Sequence, residues 1–252
     1  MGMKKRIIDF FARMGVDLTS WRLWRYERIE TKRAPKTYSQ FGEDACLRGL
    51  MEQRLQQNPA YRGFWVDIGA HHPTRYSNTR MFSEMGWRGI NVDAMPEVID
   101  LFRKRRPQDI NVNVGIGDKP GELAYYQFPD HAYNTFLKTN VDGLARKWGR
   151  ELVEGRDYNV RMVEVITLRE LLDGYLPKGQ KIDFLTVDAE GMDQAILESN
   201  DWSLYRPDFI LVEVIWVGDG QTALDNDITR FLSEVGYELV GLCSYTAVFR
   251  LK

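Results

Sequence analysis

Short apolar runs alternate with longer amphipathic stretches from about Tyr38 to the end of the chain. This alternation is typical of repeated β-α units around a parallel sheet. The apolar runs predict seven strands, at residues 64–68, 89–93, 110–114, 184–188, 209–213, 237–240 and 247–251. Helical spacing of apolar positions predicts helices at residues 78–85, 97–105, 192–198 and 225–235, the last ending before Gly236 as a helix with a glycine cap does.

The connections between these elements favour one fold class. Only residues 241–246 join the sixth and seventh strands, which predicts a hairpin, because a parallel crossover needs about a dozen residues. We therefore expect an α/β fold with a doubly wound, mostly parallel seven-stranded sheet of the Rossmann-like type. If the first five strands take the order three-two-one-four-five, the loops after strands one, four and five are neighbours.

Residues 1–35 differ from the rest of the chain. Apolar residues recur there at helical spacing and are followed by tryptophans among arginines, which predicts an N-terminal helical appendage to a domain over residues 36–252. Three interpretations stay open for its basic, aromatic face: packing on the domain, peripheral contact with a membrane, or contact with a second subunit in a homo-oligomer. The polar insertion at residues 129–161 is predicted to form a lid over a substrate.

Composition excludes several classes of protein. The 252 residues, 44% of them hydrophobic, suffice for one substantial core, and the net charge of −2 gives no overall field for a polyanion, so no nucleic-acid partner is expected. Cys46 and Cys243 match no metal-binding spacing and are expected to be buried thiols. No apolar run reaches the ~18 residues of a membrane span and no signal-peptide core follows the start. We expect a cytoplasmic protein.

The chemically versatile residues follow the predicted strands. In an open α/β sheet, ligands bind beyond the carboxyl ends of the strands. The first strand runs into Asp67 and a turn at Gly69, where the backbone can approach a ligand closely. Asp93 ends the second strand, one β-α-β unit later, where an acid reaches a ribose diol. Residues 69–74 (GAHHPT) lack the later glycines of a pyrophosphate-binding loop, so S-adenosylmethionine fits better than a nicotinamide cofactor.

Four motifs together carry a resemblance to a known family. They are residues 38–44 (YSQFGED), 67–73 (DIGAHHP) with 77–79 (SNT), 86–93 (GWRGINVD) and 188–191 (DAEG). Over roughly residues 38–252 the sequence resembles the FkbM-type family of S-adenosylmethionine-dependent methyltransferases. The resemblance implies O-methylation, often of sugar hydroxyls in surface glycans or of natural-product scaffolds, with the cofactor held by the first two strand ends. His71 and His72 depart from the glycine-richer loop of the general S-adenosylmethionine fingerprint.

We expect the cofactor to be held by loops after the first three strands. The backbone near Gly69 and the Asn78 side chain are predicted to hold the methionine tail, and the turn after the third strand is predicted to pass along the adenine edge. Tight-turn chemistry alone explains that turn equally well. The predicted cofactor-binding residues are Asp67, Gly69, Ala70, Asn78, Asp93, Ala94, Gly117 and Asp118.

The predicted catalytic residues are His72 and Asp188. A sugar hydroxyl is a weak nucleophile, so its attack needs positioning and either a general base or a metal ion. His72 is a candidate base or ligand, but it can equally be a histidine that hydrogen-bonds its own loop. Asp188 and Glu213 each end a buried strand and need partners, either a divalent metal such as Mg²⁺ or Mn²⁺ or hydrogen bonds at a helix N-terminus. Glu190 and Asp193 are interpreted as helix-capping residues.

The acceptor is expected to meet aromatic and polar side chains. The predicted acceptor-binding residues are Arg75, Tyr76, Tyr133, Asn134 and Trp216. For Tyr133 and Asn134, contact with a sugar, contact with adenine and ordinary loop packing all stay open. The sequence thus predicts an O-methyltransferase that acts on a sugar hydroxyl in polysaccharide biosynthesis. The alternatives are a non-catalytic cofactor-binding partner in glycan assembly and, less favoured, a nicotinamide-dependent oxidoreductase.

Overall fold

A computed structural model describes residues 36–129, 131–148, 158–214 and 225–252. The predicted appendage at residues 1–35 lies outside the described residues, as do parts of the predicted lid. Ten strands are formed, in chain order β1 (Phe64–Ile68), β2 (Arg88–Asp93), β3 (Ile110–Asn113), β4 (Gly115–Ile116), β5 (Gly121–Gln127), β6 (Asn159–Ile166), β7 (Phe184–Val187), β8 (Phe209–Glu213), β9 (Tyr237–Cys243) and β10 (Thr246–Leu251).

Seven of these strands form the main sheet, in the order β3-β2-β1-β7-β8-β10-β9. The first five in this order are parallel, whereas β10 runs antiparallel to both β8 and β9. Each predicted strand overlaps one of the seven. The predicted fold class and the final hairpin are confirmed, and the first five strands have the order three-two-one-four-five that was considered above.

Eight α-helices lie among the described residues. They are α1 (Glu43–Leu50), α2 (Glu52–Gln57), α3 (Arg80–Glu84), α4 (Pro96–Arg105), α5 (Lys138–Trp148), α6 (Leu168–Tyr175), α7 (Asp193–Glu198) and α8 (Asp227–Glu234), with a 3₁₀ helix at His131–Tyr133. The predicted helices correspond to α3, α4, α7 and α8, and Gly236 has the left-handed conformation expected after α8. The sequence analysis missed the others, although Thr167 and Glu170 form a capping box at the start of α6.

Helices cover both faces of the main sheet, because both faces are apolar. All five residues of β1 are buried. Val66 packs in one core cluster with Leu171 of α6 and Ile196 of α7, whereas its neighbour Trp65 packs on the opposite face with Leu47 of α1. Alternate residues of a strand point to opposite faces, so one apolar strand supports two helical layers. None of the helices that the structure describes is long and apolar enough to cross a membrane.

A second sheet, which the sequence analysis did not predict, has the order β4-β6-β5. β5 and β6 pair antiparallel from Gly121–Val165 to Gln127–Asn159. The sheet packs on α4 through Tyr125 and Val163. Polar, exposed positions alternate with apolar ones along β6, so its sequence does not form a continuous apolar run. The first residues of β6 belong to the stretch predicted as a polar insertion, residues 129–161. The last residues of the predicted lid are therefore part of a β-strand in this small sheet.

Candidate active site

A cavity of about 610 Å³ lies at the carboxyl ends of β1, β2, β7 and β8. It opens where the strand order reverses between β1 and β7, which is where open α/β sheets bind ligands. Its volume is in the range typical of small-molecule sites. The walls come from the loops after these strands, from the second sheet and from the turn between β9 and β10.

Gly69 lets two loops meet at the floor of this cavity. Its φ is +75°, and a Cβ at this position would lie 1.8 Å from the carbonyl oxygen of Asp188. Any other residue would clash with backbone there. The amides of Gly69 and Ala70 both donate to the carbonyl oxygen of Val92, each at 3.0 Å, which fixes the loop against β2.

Asp93 lies on the cavity wall, where its carboxylate organises the surrounding loops. One oxygen accepts a hydrogen bond from the amide of Met95 at 2.8 Å, and the other accepts one from the amide of His71 at 3.0 Å. Burial raises the pKa of Asp93 to about 6, although these hydrogen bonds act in the opposite direction. Each carboxylate oxygen can accept two hydrogen bonds, so Asp93 retains acceptor capacity for a ligand.

Asp67 has a different environment, although the sequence analysis grouped it with Asp93. It is buried outside the cavity lining and accepts a hydrogen bond from the Thr79 hydroxyl at 3.1 Å. Arg106 donates to Thr79 at 2.8 Å and to Ser77 at 3.1 Å. Burial raises the pKa of Asp67 to about 7, and Arg106 opposes this shift. Asp67 therefore braces the loop before α3 and does not line the cavity.

Some of the other predicted cofactor-binding residues line the cavity and some do not. Gly69, Asn78, Asp93 and Ala94 line the cavity, and Asn78 donates a hydrogen bond to the Thr186 hydroxyl at 3.0 Å. Ala70, Gly117 and Asp118 are not among the lining residues; Ala70 packs in a core cluster, Gly117 lies against Val165, and Asp118 is exposed. Gly115 and Ile116, just before the predicted pair, line the cavity instead.

The structure brings His71, not His72, to the cavity. Nδ1 of His72 accepts hydrogen bonds from the amides of Thr74 at 3.1 Å and Arg75 at 3.0 Å. Burial, followed by nearby arginines, lowers the pKa of His72, which keeps the ring neutral at pH 7 and able to accept these bonds. This geometry agrees with the second interpretation of His72 given above, that of a histidine that hydrogen-bonds its own loop. His71 has a left-handed backbone with φ of 52°.

Three carboxylates give the opposite wall an acidic character. Asp188, Glu190 and Glu213 line the cavity, and none of their carboxylate groups has a hydrogen-bond or ion-pair partner among the described residues. Asp188 is surrounded by protein yet accessible from the cavity, and burial, followed by the charge of Glu213, raises its pKa well above the usual range. Burial and neighbouring acids raise the pKa of Glu190 to about 8 and that of Glu213 to about 7. Such a wall favours a cationic ligand, because a positive charge would stabilise the ionised carboxylates.

Neither Asp193 nor Glu190 forms the helix-capping hydrogen bond predicted for it. Asp193 accepts hydrogen bonds at 3.0 Å from the amides of Ala189 and Gly191, so it shapes the loop before α7. Glu190 has a left-handed backbone with φ of 49°, and it faces the cavity.

The predicted metal ligands Asp188 and Glu213 are neighbours, but they lack a third partner. Within the described ranges, no group of three or more His, Cys, Asp or Glu side chains could hold a metal ion. The described residues therefore do not fit the predicted metal site.

Most of the predicted acceptor residues do reach the cavity. Arg75, Tyr76, Tyr133 and Asn134 line it, whereas Trp216 lies outside the described residues. The Arg75 guanidinium lies over the Tyr76 ring at 4.6 Å from its centroid. Asn134 is buried, and its side-chain oxygen accepts a hydrogen bond from the amide of Phe128 at 2.7 Å.

The sequence matches a known protein family. The family described as methyltransferase FkbM domain matches residues 67–239, more than half of the chain. The chain belongs to this family. The FkbM match begins at the end of β1 and includes the loops after β1, β2, β7 and β8. Among solved structures, a TehB-like SAM-dependent methyltransferase from Corynebacterium glutamicum is similar over 93% of this chain and 98% of its own, with 14% identity and a TM-score of 0.37. No curated protein matches this chain.

One wall of the cavity was not predicted from the sequence. The residues of this wall lie outside the FkbM match. Gln40, Phe41 and Glu43 line the cavity there together with Tyr245 from the turn between β9 and β10 and with Thr246 at the start of β10. The rings of Phe41 and Tyr245 meet edge to face at 5.7 Å, and the Thr246 hydroxyl donates to Glu43 at 3.3 Å. The motif at residues 38–44 was visible in the sequence, but no spacing rule places it beside β8 and β10.

Proposed function

We propose that this FkbM-family protein is an S-adenosylmethionine-dependent O-methyltransferase whose acceptor is a sugar hydroxyl of a cell-surface glycan or its precursor. One observation carries the proposal. A single cavity at the switch point joins the Gly69 loop and Asp93 on one side to Asp188 and Glu213 on the other. Such a cavity suits a nucleoside cofactor beside a reacting hydroxyl, and family membership supplies the reaction type.

The residues on the β1, β2 and β4 side fit the cofactor. Asp93 offers a carboxylate to a ribose diol, and the Gly69 backbone and Asn78 side chain offer polar groups to a methionine tail. Tyr125 and Phe136 make an apolar wall for a purine, with ring centroids 4.6 Å apart. When bound, S-adenosylmethionine supplies a positively charged sulfonium whose methyl group is transferred. The acidic wall opposite favours that charge.

The acidic wall also provides the base that the reaction needs. Asp188 is the candidate, because it faces the cavity without a partner among the described side chains. Its raised pKa makes it a better proton acceptor than an ordinary aspartate. As the acceptor oxygen is methylated in line, its O–H bond breaks and the proton moves to a carboxylate oxygen of Asp188. Asp188 thereby becomes neutral, which relieves its repulsion with Glu213. The exposed rings of Phe41, Tyr76 and Tyr245 offer stacking faces to a sugar.

Titration calorimetry and a transfer assay test the two halves of this proposal. We expect S-adenosylmethionine and S-adenosylhomocysteine to bind to the purified protein. Labelled methyl groups should then appear on members of a library of saccharides and nucleotide sugars. Absence of cofactor binding would refute the whole proposal. Binding with transfer only to acceptors other than sugars would refute the acceptor class and leave the methyltransferase assignment standing.

A further inference from the structure

The two cysteines of the chain, far apart in sequence, lie side by side in the fold. Both are free and half-buried, Cys46 on α1 and Cys243 at the end of β9, whereas the sequence analysis expected buried thiols. The Sγ atom of Cys46 lies 3.2 Å from where a Cβ on Gly241 would be. Gly241 and Cys243 are two residues apart on one strand, so they point to the same face. Gly241 thus leaves room for the Cys46 thiol beside Cys243.

The electrostatics of Cys243 agree with this contact. Burial raises the pKa of Cys243 to about 12, and the neighbouring Cys46 thiol, through charge and hydrogen bonding, shifts it in the same direction. Cys243 therefore stays protonated at neutral pH and is a poor first nucleophile. Cys46 is therefore the thiol that reacts first. Its conversion to a mixed disulfide removes the Cys46 contribution to the raised pKa of Cys243, and the adjacent Cys243 then attacks within the fold.

The cysteine pair joins the two segments that form the wall missed by the sequence analysis. Cys46 lies one turn into α1, the helix that begins at Glu43, and Cys243 directly precedes the turn at Tyr245, which leads into β10 at Thr246. The same segments already meet through the Phe41–Tyr245 ring contact and the Thr246–Glu43 hydrogen bond. A covalent link would hold this wall of the cavity in one arrangement.

We propose that Cys46 and Cys243 form a site of reversible disulfide formation, with a small-molecule disulfide such as oxidised glutathione as the oxidant. The Cys46 thiolate attacks one sulfur of oxidised glutathione and releases one glutathione thiolate. The Cys243 sulfur then attacks the Cys46 sulfur of this mixed disulfide, releasing the second glutathione, while the Cys243 proton passes to solvent. Two protein thiols are oxidised and one glutathione disulfide is reduced to two thiols.

Treatment of the full-length reduced protein with oxidised glutathione tests this site. The chain has two cysteines, so an intramolecular bridge joins Cys46 to Cys243. We expect a monomer about 2 Da lighter, a disulfide-linked peptide pair in a non-reducing digest and a thermal midpoint higher by roughly 5–15 °C. Persistent glutathione adducts, disulfide-linked dimers, unreacted thiols or a lowered midpoint would each overturn the proposal.

Two glycine variants make the test specific to the geometry. In Gly241→Ala the new Cβ would crowd the Cys46 sulfur, so disulfide formation should slow by on the order of tenfold. Gly49→Ala in α1 is the matched control, because its Cβ would meet no atom within 4 Å and the rate should not change. Equal rates in the two variants would contradict the proposed contact. If Gly241→Ala does not fold, Cys243→Ser serves instead and should stop at the mixed disulfide on Cys46.

Discussion

At the scale of single residues, the role of each acid near the strand ends follows from the groups that it contacts. Asp67 and Asp93 both follow predicted strands, yet Asp67 bonds to Thr79 outside the cavity lining, and Asp93 faces the cavity. Asp188 and Glu213 have no described donor. Both carboxylates open into the cavity, and acids with raised pKa values in a cavity are commonly retained where a ligand or reaction uses them.

Replacement of Asp93 should weaken cofactor binding. In Asp93→Asn one carboxylate oxygen becomes an NH₂ donor, so the side chain cannot accept from both the Met95 and His71 amides and a ribose diol. We expect a loss of roughly 1.5–3 kcal/mol, or about 10–150-fold in the Kd for S-adenosylhomocysteine measured by calorimetry. A matched thermal melt should show that the variant is folded. An unchanged Kd in a folded variant would remove Asp93 from the cofactor site.

Asp188 and His72 should respond differently to substitution. Asp188→Asn removes the proposed base and should lower kcat by roughly 10²–10⁴-fold, with little change in the Kd of S-adenosylhomocysteine, which lacks the sulfonium charge. His72→Ala removes a ring that bonds its own loop, so we expect a smaller loss of kcat together with a lower thermal midpoint. The measurements are steady-state kinetics, calorimetry and melting of both variants. A larger loss of kcat in His72→Ala than in Asp188→Asn would reverse the assignment.

At the scale of elements, the segment before α1 is held firmly enough to act as a wall. Asp44 accepts hydrogen bonds from the amide of Tyr38 at 2.8 Å and from the hydroxyls of Thr37 at 2.5 Å and Ser39 at 2.8 Å. Gly42 then turns the chain into α1 with φ of +89°. This bracing fixes Phe41 against Tyr245.

Phe41→Ala should therefore affect the acceptor and not the cofactor. Loss of the ring face should raise the KM for the saccharide acceptor by roughly 5–30-fold and change the cofactor Kd by less than about twofold. Leu204→Ala is a suitable control, because Leu204 is also exposed but lies outside the cavity lining. An equal loss of cofactor affinity would place Phe41 on the cofactor side.

The sequence predicted the elements of the main sheet better than those of the second sheet. Strands of the main sheet are apolar on both faces, so short apolar runs identify them without tertiary information. Both edge strands of the second sheet pair with β6, which mixes exposed polar and buried apolar residues. Helix α2 buries no residue, so it has no apolar face that a helical pattern could reveal.

At the scale of the whole molecule, the acidic cavity should make the ligand-free protein less stable as pH rises. The pKa values of Asp93, Glu213 and Glu190 are raised by burial to about 6, 7 and 8. Between about pH 4 and 8 the folded chain thus binds more protons than the unfolded chain, so the free energy of unfolding falls with increasing pH across this window. A cationic ligand should bind more tightly at pH 8 than at pH 6.

Thermal melts at pH 5, 6.5 and 8 measure this dependence. Glu213→Gln should raise the midpoint at pH 8 by roughly 2–6 °C and have little effect at pH 5. Glu122→Gln, a substitution at an exposed position of β5, serves as the control and should not shift the midpoint at either pH. A midpoint of the unsubstituted protein that rises between pH 5 and 8 would contradict the sign of the effect.

Removal of residues 1–35 should leave the cofactor site intact. The elements that form the cavity begin after this segment, so we expect the truncated protein to fold and bind S-adenosylhomocysteine with a Kd within about threefold of the full chain. Calorimetry on both proteins measures this. A folded truncated protein that does not bind the cofactor would show that the segment belongs to the site.

Chelation tests the predicted divalent metal separately. With Asp188 as the base and no metal, activity should survive exhaustive treatment with EDTA. Activity that is lost with EDTA and restored by Mg²⁺ or Mn²⁺ would support the metal prediction and supersede the metal-free scheme.

The sequence by itself determined the fold class and the edge at which the site lies. It did so because apolar periodicity fixes strands and helices locally, and parallel strands place all their carboxyl ends together. Gly69, Asp93, Asp188 and Glu213 reach the cavity for this reason alone.

Only the tertiary structure decided which side chains complete the site. Adjacent histidines differ in role because one left-handed backbone angle turns His71 and His72 to different sides, and no residue pattern encodes that choice. The wall at Phe41 and the contact of Cys46 with Cys243 join segments from opposite ends of the described chain. Such contacts depend on how the helices and the final hairpin pack on the sheet, which is a property of the assembled core and not of any local stretch of sequence.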